Sequence, residues 1–198
     1  MSTAPINQNF PELETERLIL RQITLDDTEA LFRHWSDDEV TKYMNIESFQ
    51  SPKQAEDMIR LLNELFEQKE AIRWGIVKKE DNRLIGTCGY NSWLKHQAFR
   101  GEIGYELGRA YWGQGFMQEA LRAIISYGFE AMDLNRIEAL VMLEASRSMN
   151  LLLKLGFQKE GILREHGYWK GQFWDEYCLS LLKRDWLKSK LSQDFVSS

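Results

Sequence analysis

Two glycines separated by one residue stand directly before a helical pattern, and this arrangement can bind an anion. Gly113 and Gly115 follow a strand-like run at 101–108, and apolar residues recur at helical spacing over 116–132. The first backbone N–H groups of a helix have no partner within it, and the helix dipole adds partial positive charge there. Because glycine has no Cβ atom, the backbone can approach a phosphate closely. The stretch therefore predicts a phosphate or pyrophosphate site formed by the N–H groups of residues 113–118.

The familiar phosphate motifs do not fit this stretch. A P-loop requires lysine followed by serine or threonine after the second glycine, where this chain has Phe116 and Met117. The dinucleotide motif GxGxxG requires a third glycine at position 118, which is Gln118. A turn that only joins a strand to a helix also accounts for two glycines, and the pair by itself favours that simpler interpretation.

The strands and helices predicted around this loop indicate a mixed α/β fold. Apolar alternation and β-prone runs predict seven strands, at 17–23, 71–79, 83–93, 101–108, 136–143, 157–163 and 173–182. Apolar residues at helical spacing predict four helices, beginning near residues 24, 51, 116 and 146. The strand, loop, helix and strand over 101–143 predict one parallel strand pair. The remaining neighbours are predicted to be hairpins, in a largely antiparallel sheet with helices on both sides.

Capping residues mark several helix ends. Thr24 and Ser51 are predicted N-caps, and the second is followed by proline. Ser146 or Ser148 is predicted to cap the last of the four helices, which ends at Gly156.

Composition narrows the class of protein. The 198 residues, 43% of them hydrophobic, suit one domain with a sizeable core. The net charge of −5 argues against direct nucleic-acid binding and suits a cationic partner such as an amine. Cys88 and Cys178 lack metal-ligand spacing and are expected to be reduced core thiols. No signal peptide and no membrane-length apolar run are visible, so we expect a cytoplasmic protein.

Several blocks of this chain, taken together, resemble one enzyme family. They are "LETERLILRQITLDDTEALF", "EIGYELGRAYWGQGFMQEAL", "LNRIEALV", "SMNLLLKLGFQKEGILRE" and "GYWKGQFWDEYCLSLLKRDW". In order and spacing they resemble the GNAT superfamily of acetyl-CoA-dependent N-acetyltransferases. Within it they are similar to the RimJ/RimL branch, the ribosomal-protein N-acetyltransferase-like enzymes. The resemblance covers about residues 13–186.

The resemblance implies a GNAT-like α/β fold. Its central sheet would be mostly antiparallel and splayed, with about six to seven strands flanked by about four helices. The domain would span 15–186, between a flexible N-terminal arm at 1–14 and a C-terminal tail at 187–198. Acetyl-CoA would be the co-substrate, and no metal is expected.

The resemblance also implies a pyrophosphate loop of the form Q/R-x-x-G-x-G/A. Trp112 stands at its first position, and Met117 stands where the family has glycine or alanine. A third departure is Ala145, where the branch often has an asparagine that contacts cofactor or substrate. The cofactor-binding residues implied in this way are Leu107, Trp112, Gly113, Gln114, Gly115, Phe116, Met117 and Gln118.

The family implies a role for the strand before the loop. The pantetheine arm of the cofactor would lie where this strand splays from the next. A backbone N–H near Leu107 would donate to the acetyl carbonyl and stabilise the oxyanion that forms as the amine attacks.

Amine acetylation needs a neutral nitrogen and therefore benefits from a general base. Near neutrality a protein α-amine loses its proton for about 1 kcal/mol, and a lysine amine for about 4–5 kcal/mol. Glu102 is the first candidate base, by similarity to relatives, and Glu106 on the same strand face is the second. Ser148 and Tyr168 are candidate acids for the CoA thiolate. Solvated strand carboxylates, a helix cap and a packed aromatic ring remain the simpler alternatives for these residues.

The histidines and aromatic residues carry weaker signals. His34 and His96 are expected at the surface, and His166 is expected to face solvent near the site. Five aromatic residues are candidates either for a substrate pocket wall or for the core, namely Trp35, Trp93, Tyr168, Trp169 and Trp174.

The predicted function is acetyl-CoA-dependent transfer of an acetyl group to a primary amine by direct attack in a ternary complex. The acceptor is a protein N-terminal α-amine, as in the ribosomal-protein-like enzymes, or a small amine such as a polyamine. A non-catalytic acyl-CoA-binding module or sensor is the alternative. Loops at 35–50, 92–100 and 164–172 are predicted on the substrate side. A homodimer is an open possibility, and no membrane partner is expected.

Overall fold

The computed structural model describes residues 10–94 and 98–194, so His96 lies outside the described residues. Within them the strands are β1 (Leu13–Glu14), β2 (Leu18–Gln22), β3 (Ile72–Lys78), β4 (Arg83–Leu94), β5 (Arg100–Leu107), β6 (Arg136–Met142), β7 (Gln158–Trp169) and β8 (Gln172–Leu182). The helices are α1 (Thr28–Trp35), α2 (Asp38–Thr41), α3 (Pro52–Glu67), α4 (Phe116–Glu130), α5 (Ser146–Lys154) and α6 (Lys183–Asp194). Short 3-10 turns cover Leu25–Asp27 and Arg109–Tyr111.

The eight strands form one sheet in the order β1-β2-β3-β4-β5-β6-β8-β7. The chain divides into two compact units, one made of Met1–Ser92 and Gly104–Ile124 and the other of Trp93–Ile103 and Ile125–Ser198. The boundary passes through β4, β5 and α4, so each of these elements contributes to both units. The domain boundaries at 15 and 186 stay predictions.

The first unit joins antiparallel strands to two packed helices. β1 pairs with β2, β2 with β3 and β3 with β4, all antiparallel. Leu31 and Trp35 of α1 and Ile59 of α3 belong to one buried cluster, together with Val77 of β3. Residues at the end of the predicted arm also make contacts here, since the indole Nε1 of Trp74 donates to the Pro11 carbonyl at 2.6 Å.

The second unit contains the parallel strand pair that the sequence predicts. The first part of β5 pairs with β6 from Arg100↔Arg136 to Glu102↔Glu138. β8 is antiparallel to both β6 and β7. A two-residue turn joins β7 to β8, in which Lys170 and Gly171 have φ angles of 51° and 76°. Positive φ at both positions gives the twist that favours a tight hairpin.

The mixed, mostly antiparallel fold is confirmed, and several elements differ from the sequence analysis. β1, α2 and α6 are additional, which makes eight strands and six helices among the described residues. The predicted substrate-side loop at 164–172 is corrected, because β7 continues to Trp169 and β8 begins at Gln172. The register breaks between Leu163 and Gly167, where Glu165 has a φ of 48°.

The predicted cap of α3 is confirmed, and that of α5 is corrected. Thr24 caps the 3-10 turn Leu25–Asp27, whereas the N-cap of α1 is Asp27. The Thr24 N–H donates to Asp27 Oδ2 at 2.9 Å, and the Ser51 N–H donates to Gln54 Oε1 at 3.1 Å. The N-cap of α5 is Ala145 rather than Ser146 or Ser148. The turn that bonds Ala145 N–H to the Met142 carbonyl brings the chain into the helix earlier than the serines suggest. None of the described helices has the length and apolar character that a membrane crossing requires.

Candidate functional site

The loop between β5 and α4 has the backbone shape that its glycines predict. Gly113 and Gly115 have φ angles of 74° and 82°, a region that other residues rarely adopt. Both are exposed, as is Gln114 between them. The first bond into α4 runs from the Glu119 N–H to the Gly115 carbonyl at 3.1 Å. The N–H groups of residues 116–118 therefore stand in the first turn, where the helix offers them no acceptor.

Phe116 and Met117 anchor the start of α4. Both are buried, and Met117 is only 8% exposed. The methionine that departs from the family pattern therefore packs into the protein. Met117 is thus a core residue in the first turn of α4.

Leu107 and Trp112 are brought together by a hydrogen bond. The indole Nε1 of Trp112 donates to the Leu107 carbonyl at 2.8 Å. The next residue, Gly108, donates its N–H to the Ile85 carbonyl of β4 at 2.9 Å. Because backbone groups alternate in direction along a strand, the N–H and C=O of Leu107 both point away from β4. Trp112 lies on that same side of β5.

Thr15 and Arg17, in the segment between β1 and β2, tie the loop and α4 to the N-terminal part of the chain, which the sequence did not indicate. The Arg17 guanidinium donates to Glu119 Oε2 at 2.6 Å and to the Gln114 carbonyl at 3.1 Å. It also lies 4.5 Å from the centroid of the Phe116 ring. Thr15 Oγ1 donates to the second oxygen of the Glu119 carboxylate at 2.6 Å. The signal available in the sequence was the "LETER" block, whose contacts with residues about 100 positions later cannot be inferred from spacing.

Glu119 places a negative charge in the first turn of α4, and the tie compensates it. Burial raises the pKa of the Glu119 carboxyl, but hydrogen bonds from Thr15 and Arg17 outweigh burial and lower the pKa overall. The carboxylate is therefore ionised and is paired with the Arg17 cation. This pairing leaves the N–H groups of the loop in a less negative environment than Glu119 alone would create.

Glu106, the second candidate base, is a buried carboxyl group. Its Oε1 accepts hydrogen bonds from Thr87 Oγ1 and from the Trp35 indole at 3.2 Å. Its Oε2 lies 3.8 Å from the Arg73 guanidinium. Burial raises the pKa of Glu106, against the opposing effects of Arg73 and the hydrogen bonds. The residue is therefore enclosed by its own partners.

The three predicted catalytic residues lie on three elements of the second unit. Glu102 is half-buried on β5, opposite Glu138 of β6. Ser148 occupies the third position of α5 and is half-buried. Tyr168 lies near the end of β7, 64% exposed, with its ring centroid 4.9 Å from that of Phe173. The neighbouring Glu138 carboxylate is held by Arg136 at 2.6 Å.

Two other expectations from the sequence are corrected. His34 is not a surface residue, because its ring packs on Gly108 and its Nδ1 atom is inaccessible. Cys178 is half-buried rather than a core thiol, whereas Cys88 is fully buried as expected. The His166 side chain is partly exposed, and its Nδ1 atom lies 2.9 Å from Glu176 Oε2.

The described residues hold no group of three or more histidine, cysteine, aspartate or glutamate side chains that could bind a metal ion. Hydrogen bonds from the Trp112 indole and the Arg17 guanidinium hold the two ends of the segment 107–119 that contains the loop.

Comparison with known proteins identifies the family. The model of the acetyltransferase (GNAT) domain matches residues 17–158. The uncharacterized N-acetyltransferase p20 of Bacillus licheniformis is 49% identical over 174 residues, which cover 88% of this chain and 97% of that protein. The [ribosomal protein uS5]-alanine N-acetyltransferase of Escherichia coli is 28% identical over 184 residues, 90% of this chain and 95% of that protein.

A solved structure shares the fold. The spermidine N-acetyltransferase of Vibrio cholerae, in complex with CoA and spermine, superimposes with a TM-score of 0.75 at 20% identity, covering 87% of this chain and 99% of that chain. The chain described here therefore belongs to the GNAT acetyltransferases, in their RimJ/RimL-like branch, and is an N-acetyltransferase.

Proposed function

We propose that this enzyme transfers the acetyl group of acetyl-CoA to a primary amine by direct attack in a ternary complex. The observation that carries the proposal is the loop of Gly113 and Gly115, whose positive φ angles lead into the first turn of α4. Such a turn presents several backbone N–H groups and the positive end of the helix dipole to one anion. The CoA pyrophosphate is the anion that the family uses at this position.

The cofactor-binding residues fit this role in different ways. The N–H groups of residues 113–118 bind the pyrophosphate. Trp112 holds the Leu107 carbonyl, and so steadies the peptide that precedes the loop. The Leu107 N–H is the donor for the acetyl carbonyl, which agrees with its direction away from β4. A donor placed where charge develops stabilises the tetrahedral oxyanion.

The reaction needs one base and one acid. Glu102 takes the proton from the acceptor nitrogen as that nitrogen attacks the thioester carbon. The C–N bond forms, the C–S bond then breaks, and the CoA thiolate takes a proton from Ser148 or Tyr168. Glu102 is favoured over Glu106 as the base, because Glu106 is enclosed by Trp35, Thr87 and Arg73.

The acceptor is a protein N-terminal α-amine or a small amine. The ribosomal-protein enzyme supports the first class, and the spermidine enzyme, related in fold, supports the second. The net charge of −5 suits a cationic acceptor of either kind. We place the reaction in the cytoplasm, where ribosomal proteins and polyamines are both available.

Calorimetric titration with CoA tests the binding half of the proposal. Gly113→Ala should weaken CoA binding about tenfold, because alanine disfavours this backbone conformation by about 1–2 kcal/mol. Gly171→Ala is a matched control, since Gly171 has a φ of 76° and, like Gly113, nothing within 4 Å of an added Cβ. CoA affinity that is equal in the two variants would overturn the assignment of the loop.

A thiol-release assay with acetyl-CoA tests the catalytic half. The acceptors are peptides with free N-termini, the same peptides with blocked N-termini and internal lysine, and polyamines. Turnover with free N-termini or with polyamines identifies the acceptor class. CoA binding with no turnover across the panel would favour the alternative, a non-catalytic acyl-CoA sensor.

A further inference from the structure

The end of α1 contacts the end of β5 on both sides of Leu107. Trp35 donates its indole N–H to the Glu106 carboxylate, just before Leu107. The ring of His34 packs against Gly108, just after it. A Cβ atom added to Gly108 would lie 2.6 Å from His34 Nε2 and 2.7 Å from Cδ2. Glycine at 108 is therefore required by the imidazole and not by the backbone, whose φ of −54° and ψ of 138° suit any residue.

Two further contacts join the same segment to the turn that follows β5. The His34 ring meets the Tyr111 ring edge-on, with centroids 6.4 Å apart. Asp37, two residues after α1, lies 3.2 Å from the Arg109 guanidinium. The 3-10 turn Arg109–Tyr111 leads directly into the glycine loop. The segment 34–37 thus holds the start of this turn, its end and the residue before it.

The His34 ring is held as a neutral group. Burial, with a smaller contribution from Arg33 and against the opposing effect of Asp37, lowers its pKa to about 4. Nδ1 is inaccessible and has no hydrogen-bond partner in the part of the chain that the structure describes. A buried polar atom without a partner is rare and costs stability, so it calls for an explanation other than stabilisation. The closest ring atoms to Gly108 are Nε2 and Cδ2, on the edge away from Nδ1.

We propose that His34 is a positioning residue for acetyl-CoA, which acts by packing its ring between Gly108 and Tyr111. The ring sets the place of the Leu107–Gly108 peptide and of the turn that carries the glycine loop. It does not touch the reacting atoms. The inference rests on the proposed function, because it assigns His34 to the loop that binds CoA.

A double-mutant cycle between His34 and Gly108 tests the contact, with calorimetric titration of CoA as the readout. Gly108→Ala should weaken CoA binding about tenfold, because the methyl group displaces the ring and the turn. His34→Ala should also weaken it, because the support of the turn is lost. The double variant should bind within about threefold of His34→Ala, since the methyl group then has room. If the losses of CoA affinity in the two single variants multiply in the double variant, the proposal is overturned.

A second variant separates positioning from folding. His34→Phe keeps a neutral planar ring and should bind CoA within about threefold of the wild type, whereas His34→Ala should not. Gly161→Ala is the control for an added methyl group, because nothing lies within 4 Å of that Cβ. If His34→Ala unfolds, Gly108→Ala and His34→Phe still decide the outcome. Wild-type affinity in Gly108→Ala would contradict the proposal.

A structural readout distinguishes this inference from the proposed function. In protein labelled with 15N-leucine and 15N-glycine, His34→Ala should shift the amide resonances of Leu107, Gly113 and Gly115 without any ligand. Such shifts with no CoA binding by the wild type would show that the ring positions the turn, but they would sink the proposed function and with it the assignment of His34 to CoA. Normal CoA binding by the wild type, with unchanged amide resonances in His34→Ala, would sustain the proposed function and overturn the positioning role of His34.

Discussion

Glu106 is a carboxyl group whose environment favours its neutral form. Its oxygens face Trp35, Thr87 and Arg73, and burial raises its pKa. A neutral buried carboxyl is mimicked well by an amide, which has similar shape and hydrogen-bonding capacity. Truncation differs, because it leaves the Trp35 N–H and the Thr87 hydroxyl without the acceptor that they share. We therefore propose that Glu106 belongs to the frame around Leu107 and that Glu102 is the base.

The two glutamates of β5 should respond differently to the same substitution. Glu106→Gln should keep kcat within about threefold of the wild type, whereas Glu102→Gln should lower kcat about 100-fold or more, the usual effect of losing a general base. The measurement is the pH profile of kcat with the best acceptor found. The rate of Glu102→Gln should recover at high pH, where the amine loses its proton unaided. A larger loss in Glu106→Gln than in Glu102→Gln would reverse the assignment.

The sequence could place both glutamates on one strand face but could not rank their burial. Alternation shows which residues share a face, and burial depends on what packs on that face. The Trp35 and Arg73 side chains that enclose Glu106 come from residues 71 and 33 positions earlier in the chain. His34 was misjudged for the same reason, because its contact with Gly108 joins residues far apart in sequence.

At the scale of elements, α5 begins without a side-chain cap. Ala145 holds the N-cap position, where the branch often has asparagine, and it makes no side-chain bond to the helix. Ala145→Ser supplies an oxygen for the N–H groups of residues 147 and 148. We expect a gain of about 1 kcal/mol in the free energy of unfolding, measured by urea denaturation.

A matched serine distinguishes this cap from a general effect of serine near the helix. Ser146 is exposed and is the first residue of α5. Ser146→Ala should change the free energy of unfolding by less than about 0.5 kcal/mol. A loss of about 1 kcal/mol on that substitution would show that Ser146 is the cap after all, as the sequence suggested.

Elements with a strong apolar period were predictable, and short or polar ones were not. α3 and α4 each present apolar residues at helical spacing over about four turns, and the structure has both helices where the pattern predicts them. α2 has four residues, which is too short for a period to show. α6 reads "KRDWLKSKLSQD", in which polar residues surround Trp186 and the leucines, so it gives little periodic signal. The contact of Trp186 with Phe129, at 5.2 Å between centroids, comes from tertiary packing.

At the scale of the whole molecule, titrating groups act on stability in opposite directions. Hydrogen bonds from Arg136 and Ser180 lower the pKa of Glu160 to about 2. The ionised Glu160 therefore stabilises the fold until the pH falls well below the ordinary pKa of glutamate. Burial raises the pKa of Glu106, so its contribution is present below its ordinary pKa and is lost as pH rises through the raised pKa. The stability profile is therefore a sum of opposing terms, and single variants can separate them.

His34 contributes to the pH dependence of stability between about pH 4 and 6.5. Its folded pKa of about 4 lies below the ordinary value of 6.5, so between these pH values the unfolded chain binds a proton that the fold does not. The contribution of His34 to stability should therefore fall as pH decreases from about 6.5 to 4. His34→Phe removes this proton, and its melting temperature should depend less on pH across the same window. Arg33 and Asp37, whose charges act on the ring, and Tyr111, which packs against it, are unchanged in that variant, as is Arg109, which pairs with Asp37. Glu106→Gln serves as the control, because it should change the slope of melting temperature against pH in the opposite direction. If the melting temperatures of the wild type and of His34→Phe instead run parallel from pH 6.5 to 4, the imidazole takes up its proton as readily in the fold as in the unfolded chain.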